Sequence, residues 1–168
     1  MAIGLQAIIA QVIDQVPRAT PTQDATQTFS ASDDGAGGVL ELEQVTAQQD
    51  RIFDVRITGW PRDDGEASGT GSLRMRATLA VRVYYWLGGY ASRTALEQRM
   101  AQDVSSIVNR LAAPVNWDAT NTGTDAWIFT RTQPTASPLK FDGSDPKAPP
   151  DAFILSIPFE VIYREASA

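Results

Sequence analysis

Neither cysteine nor histidine occurs in this chain of 168 residues, and the two absences close most routes to chemistry. Without cysteine there is no disulfide, no thiolate nucleophile and no sulfur-ligated metal. Without histidine the usual general base near neutral pH and the commonest metal ligand are gone, and a Ser-His-Asp arrangement is impossible. No GxGxxG, P-loop or GxSxG signature occurs. The short GAGG at 35–38 and GTGS at 69–72 sit in polar surroundings, and no helical pattern follows the first. No apolar run approaches the roughly twenty residues of a membrane span. The opening MAIGLQAIIAQVIDQV lacks the basic start and long apolar core of a signal peptide. The expectation is a protein that needs no membrane, no cofactor and no oxidising compartment.

Positive charge is also in short supply: the net charge is -6. Sequence-independent grip on a nucleic-acid backbone needs clustered cations, so the balance argues against it. The apolar fraction of 43% fits a globular protein. The length suits one domain with a real core and is short for two, so residues 1–168 are read as a single domain.

What is present is organised around Ser72 to Leu111. In SLRMRATLAVRVYYW, Leu73, Met75, Ala77, Leu79, Val81, Val83 and Tyr85 share one side, and Arg74, Arg76, Thr78, Ala80, Arg82, Tyr84 and Trp86 the other. A period of two predicts a strand with one apolar face. After LGGYA, the residues Leu96, Met100, Val104, Ile107, Val108 and Leu111 recur at three- and four-residue steps, which predicts a helix. Thr94 with Glu97 fits a capping box, Ser92 is a competing cap, and Pro114 closes the segment.

Around this unit, residues 2–16 predict a short amphipathic helix stopped by Pro17, packed on the sheet or docked on a neighbouring subunit. Residues 18–38, rich in Thr, Gln, Ser, Asp and Gly, read as a flexible loop or arm. VLELEQV at 39–45 suggests a weak strand. RIFDVRITGW at 51–60 is a better one, with Phe53, Val55 and Ile57 alternating with Asp54, Arg56 and Thr58. The polar PRDDGEASGTGS then turns the chain, so 51–60 and 72–86 form a long hairpin. AWIFTR at 126–131 reads as a strand or loop. The proline-rich 132–150 reads as irregular. The last strand, 152–164, carries Phe153, Leu155, Ile157, Phe159, Val161 and Tyr163 on one side and Ser156, Glu160 and Arg164 on the other. Pro158 places it at an edge there or in a bulge. The order predicts an α+β fold: a mainly antiparallel twisted sheet with a long central hairpin and helices packed on one face.

Carboxylates alone can still serve a hydrolase or a metal site. Asp63, Asp64 and Glu66 in the hairpin turn, and Asp142 and Asp145 in DGSD, read as solvated turns; DGSD lacks the later ligands of a calcium loop. Asp54 is expected to pair with Arg74, Arg76 or Arg82 on the neighbouring strand. Those arginines, with Arg56 on the hairpin partner, read either as a solvated salt-bridged face or as a subunit interface. Trp60, Tyr84, Trp86 and Tyr90 lie towards the hairpin ends, as core caps, interface anchors or a sugar-binding platform. Length favours assembly. About fourteen residues of strand span roughly 45 Å at about 3.3 Å each, beyond the usual width of a compact domain of this size. Such a hairpin must bend or project, and a projecting hairpin exposes edges that another chain covers.

This layout of N-terminal helix, RIFDVRI strand, arginine-bearing LRMRATLAVRVYYW strand, ALEQRMAQDVSSIVNRL helix and final FILSIPFEVIYRE strand resembles the tail terminator, or tail completion, proteins of long-tailed bacteriophages. The likeness is one of architecture, covers about 50–166 best and rests on no short motif. It implies a structural protein without catalysis. Such a protein forms a hexameric ring in the virion, assembled in the host cytoplasm. The ring caps the tail tube, ends its elongation and offers the head-joining surface. Its implied partners are further copies of itself, the tail tube protein and neck or connector proteins, with genomic DNA passing through unread. The implied interface candidates are Asp54, Arg56, Trp60, Arg74, Arg76, Arg82, Tyr84, Trp86, Tyr90, Glu160 and Arg164. A head–tail connector is the alternative within the same particles. A carbohydrate-binding module or a carboxylate-dependent hydrolase is the alternative outside them.

Overall fold

The period-two runs become the three longest strands. The structure, a computed structural model, describes residues 4–19, 29–31, 50–68, 72–113, 127–129, 133–139 and 150–166. Among these described residues six strands form one sheet: β1 (Ser30–Ala31), β2 (Ile52–Ser68), β3 (Ser72–Trp86), β4 (Trp127–Phe129), β5 (Thr135–Leu139) and β6 (Ala152–Ala166). Their order is β1-β2-β3-β6-β4, with β5 also on β6. The β1–β2 pair is parallel and the others are antiparallel. Two helices, α1 (Leu5–Gln15) and α2 (Arg93–Ala112), complete an α+β fold.

β3 is the spine. It pairs with β6 along its whole length, from Ser72 opposite Ala166 to Trp86 opposite Ala152, without a register shift. Because side chains alternate faces, this pairing sets Leu79 beside Phe159, Val81 beside Ile157 and Val83 beside Leu155 on one face. Phe53, Val55 and Ile57 join that face from β2, opposite Val83, Val81 and Leu79. Ile8 and Val12 of α1 and Leu96, Met100, Ile107 and Leu111 of α2 pack into the same core. Burying each such side chain contributes about 1.5–3 kcal/mol against leaving it wet. The helices therefore cover one face, and α1 belongs to its own subunit's core.

Several boundaries differ from those expected. α1 ends at Gln15, and the chain tightens into a 3₁₀ turn over Val16–Arg18, because Pro17 has no N–H for the α ladder. α2 takes Ser92 as its N-cap: the Ser92 side chain accepts from the Ala95 N–H at 3.1 Å. The expected Thr94–Glu97 box is not used, and Glu97 instead accepts from Arg93 Nε at 2.9 Å. β2 runs on through the polar PRDDGEAS to Ser68, paired with Ser72. Register shifts between Ile57 and Gly59, Gly59 and Arg62, and Asp63 and Ala67 absorb Pro61 and the polar residues as bulges.

Both expected loops contain strand. Within 18–38, Phe29 is buried and Ser30–Ala31 pair with Ile52–Phe53. Within 132–150, Thr135–Leu139 pair with Ser156–Ala152, which the proline content hid. Pro138 is tolerated on that strand because an edge strand needs half of its N–H groups only. The strand expected over 39–45 lies outside the described residues, and of 126–131 the central three form β4.

Pro158 shows how β6 holds a proline without a bulge. It faces Ala80 in unbroken register with β3. On its other side β5 reaches Ser156 and β4 begins at Glu160, so position 158 falls between them. The missing N–H falls where, among the described residues, no strand calls for one.

Candidate interaction surface

The sheet face turned away from the helices carries the arginines. Alternation puts Asp54 and Arg56 on it from β2, Arg76, Thr78, Arg82 and Tyr84 from β3, and Ile154, Ser156 and Glu160 from β6. Asp54 is its electrostatic centre, with a side chain only 1% exposed. Register places it directly opposite Arg82. Asp54 Oδ1 accepts from Arg82 Nε at 2.9 Å, Oδ2 accepts from Arg82 Nη2, and Arg56 Nε donates to Oδ2 at 3.2 Å. A two-point guanidinium fork on a shielded carboxylate is the strong form of such a pair. A turn along the sheet, Arg76 Nη1 donates to Glu160 Oε2 at 3.0 Å, linking β3 to β6. The expected partnership of Asp54 with an arginine across the hairpin is thus present, and Arg82 provides it. Arg74 lies opposite Arg164 in the β3–β6 register; the Arg164 side chain is outside the described residues.

The aromatics separate into two places. Tyr84 is fully buried and, with Ala152, anchors a second apolar cluster that Ile52, Trp86, Leu139 and Ile154 partly cover. Burial pushes the Tyr84 hydroxyl up to about 12. Trp86 is held in place from below: a Cβ at Gly88 would collide with its indole, so the 3₁₀ turn Leu87–Gly89 needs glycine there. Beside it, Tyr90 Oη donates to Asp50 Oδ2 at 2.7 Å, and the Trp86 N–H donates to Asp50 Oδ1 at 3.3 Å. Trp60 is elsewhere. It sits in a bulge of β2 between the Gly59–Thr78 and Arg62–Arg76 pairs, and is 77% exposed. Trp60, Trp86 and Tyr90 therefore do not form one platform.

The strongest polar constellation is one that the alternation of β2 does not announce. Arg51, at the mouth of β2, is 2% exposed and holds φ at 58°, a left-handed conformation unusual outside glycine. Its Nε donates to Asp103 Oδ2 at 3.1 Å and its Nη2 to Oδ1 at 2.5 Å. Tyr85 Oη donates to the same Oδ2 at 2.7 Å. The guanidinium also lies 5.3 Å from the centre of the Phe29 ring. Backbone bonds fix the corner: Arg51 N donates to Tyr84 O at 2.8 Å, and Ser30 N to Arg51 O at 3.1 Å. Burial pushes the Asp103 carboxyl above the usual carboxylate value, with Tyr85 and Arg51 pulling it back. This knot ties α2, β1, β2 and β3 together. One sequence signal existed: Asp103 interrupts the stripe Leu96, Met100, Ile107 and Leu111 that α2 buries.

Among the described residues, no group of three or more Asp or Glu is placed to hold a metal ion. Asp63 lies on β2, and Asp142 and Asp145 are outside the described residues. The carboxylates of Asp54, Asp103 and Glu160 are engaged by guanidinium groups, an arrangement that locks strands and helices together. No helix is long and apolar enough to cross a membrane among the described residues. In comparisons with known proteins, the chain matches no family model and no curated protein.

Proposed function

We propose that this protein is a structural ring subunit of a long-tailed phage, acting at the end of the tail tube as a terminator that also meets the neck. The observation that carries the proposal is the β2–β3–β6 slab. β3 and β6 each run 15 residues in unbroken register, or roughly 50 Å at about 3.3 Å per residue. A sheet of that length, with ion pairs and part-buried apolar side chains on the face away from the helices, suits repeated lateral contact.

Three features support that reading. On the arginine face Asp54 engages Arg82 and Arg56 and Glu160 engages Arg76, so these three cations are tied to carboxylates rather than offered to DNA passing through a bore. The acidic balance acts in the same direction. Carboxylates engaged as ion-pair acceptors suit a scaffold better than an acid–base pair, which needs two carboxyls poised around a substrate.

The test is the solution mass of the pure protein, by light scattering, together with negative-stain images, each with and without tail tubes. A closed ring of about six copies, the number implied by the likeness to tail terminators, is the expected result. A monomer at high concentration that stays off the tubes would overturn the proposal.

A further inference from the structure

Resting on the ring reading, the geometry points to a specific head-to-tail contact. We infer that Trp60 of one copy inserts against the Tyr84–Ile154 cluster of the next.

The two halves of this contact are apolar features that the described residues leave incompletely covered. Trp60 is the only large hydrophobic residue counted as exposed among the described residues. A solvated indole in a bulged, polar stretch of hairpin contributes nothing to its own subunit, whereas tryptophan is the residue most enriched at interface hot spots. The bulges twist β2 there and suppress open-ended strand pairing, so the stretch is suited to a side-chain anchor rather than to continuing a sheet. The other half is the second cluster. Ile52, Trp86, Leu139 and Ile154 are only partly buried around Tyr84, on the face away from the helices. Trp86 is propped over Gly88 and so is pre-organised.

These halves cannot meet within one chain. Trp60 follows Gly59, which pairs with Thr78, and Tyr84 is six residues further along β3, a separation of about 20 Å on a rigid strand at about 3.3 Å per residue. They are also unlike: one is a single exposed indole and the other, the floor of the contact, is a group of part-buried apolar side chains on the sheet. Two unlike surfaces are satisfied either by a reciprocal two-fold pair or by a head-to-tail contact; the ring reading selects the head-to-tail form, which closes when the rotation allows. The occupant that fits is therefore a second copy of this chain.

The experiment uses the full chain and three preparations. Trp60→Ala removes the anchor and leaves the floor, while Leu139→Glu charges the floor on an outlying strand and leaves the anchor. Each alone should lose the ring, a roughly sixfold fall in mass for a six-membered cycle, with near-ultraviolet dichroism and melting point retained. Mixed in equal amounts, they should form a one-to-one dimer and nothing larger, because one intact anchor meets one intact floor. If Leu139→Glu does not fold, Trp86→Ala takes its place in the mixture. Rings from Trp60→Ala, or a mixture that stays monomeric, would sink the inference and leave the ring proposal standing. Wild-type protein that never forms a ring removes the ring proposal itself.

Discussion

Two arginine–aspartate pairs begin three residues apart in the chain and end on different sides of the sheet. Arg51 meets Asp103 beneath α2, with side chains 3% and 0% exposed. Asp54 meets Arg82 and Arg56 on the face away from the helices, where the arginines keep 17% and 38% exposure. Both use an arginine fork on a shielded carboxylate. The first has no water to fall back on, so its charges depend wholly on each other, on Tyr85 and on the backbone corner. The second is half open, so its arginines can rehydrate. The same chemistry serves as a buried lock in one place and as a partly hydrated surface pair in the other.

The largest expected effect comes from breaking the lock. Asp103→Ala leaves the Arg51 guanidinium buried without its counter-charge, and should destabilise the protein by about 3–5 kcal/mol in urea unfolding. A loss below about 1 kcal/mol would mean that water reaches the site and that the two pairs are equivalent. Replacing both partners, as Arg51→Met with Asp103→Leu, should recover most of that loss, since a packed apolar pair avoids the desolvation cost of both charges. Asp54→Ala should cost about 1–3 kcal/mol, less than Asp103→Ala, because Arg82 and Arg56 gain solvent.

The neighbouring tyrosines sharpen the contrast. Tyr85→Phe deletes a donor to Asp103 and should cost about 1–2 kcal/mol at neutral pH. Tyr84, on the other face, matters at high pH. Its folded value of about 12 lies above the ordinary tyrosine value of 10.0, so the native state holds a proton that the unfolded chain releases. Its contribution is complete below pH 10 and is lost as pH rises through 12, with a slope of up to about 1.4 kcal/mol per pH unit. Tyr84→Phe should flatten that part of the profile in urea melts between pH 9 and pH 12; an unchanged slope would assign the alkaline loss to other groups. The smallest effect belongs to Arg76 and Glu160. Their coupling in a double-mutant cycle should be under about 1 kcal/mol and should shrink in high salt.

Much of this was legible in residues 72–111, because alternation and helical spacing are properties of the chain itself. The apolar face of β3, the stripe of α2 and the pairing of Asp54 with an arginine across the hairpin follow from period, hairpin connection and cross-strand geometry, while the register of the fold picks Arg82 from Arg74, Arg76 and Arg82. Other features needed the fold. β5 was hidden because its TASPL segment has no apolar alternation and takes its strand form from pairing with β6. Phe29 and β1 were hidden in a polar loop for the same reason. Arg51 read simply as the start of the 51–60 strand; no local pattern reports its left-handed φ or its burial against Asp103.

By itself, then, the sequence determined which faces are apolar, where the long strands run and that cysteine and histidine chemistry is absent. Only the tertiary structure decided that Arg51 reaches Asp103 across 52 residues, that Pro158 falls between two edge strands, and that Trp60 stands apart from Trp86. The physical reason is range. Side-chain periodicity is set by neighbours one to four residues away, whereas charge pairing, edge pairing and exposure are settled by which distant segments share a surface once the chain has closed.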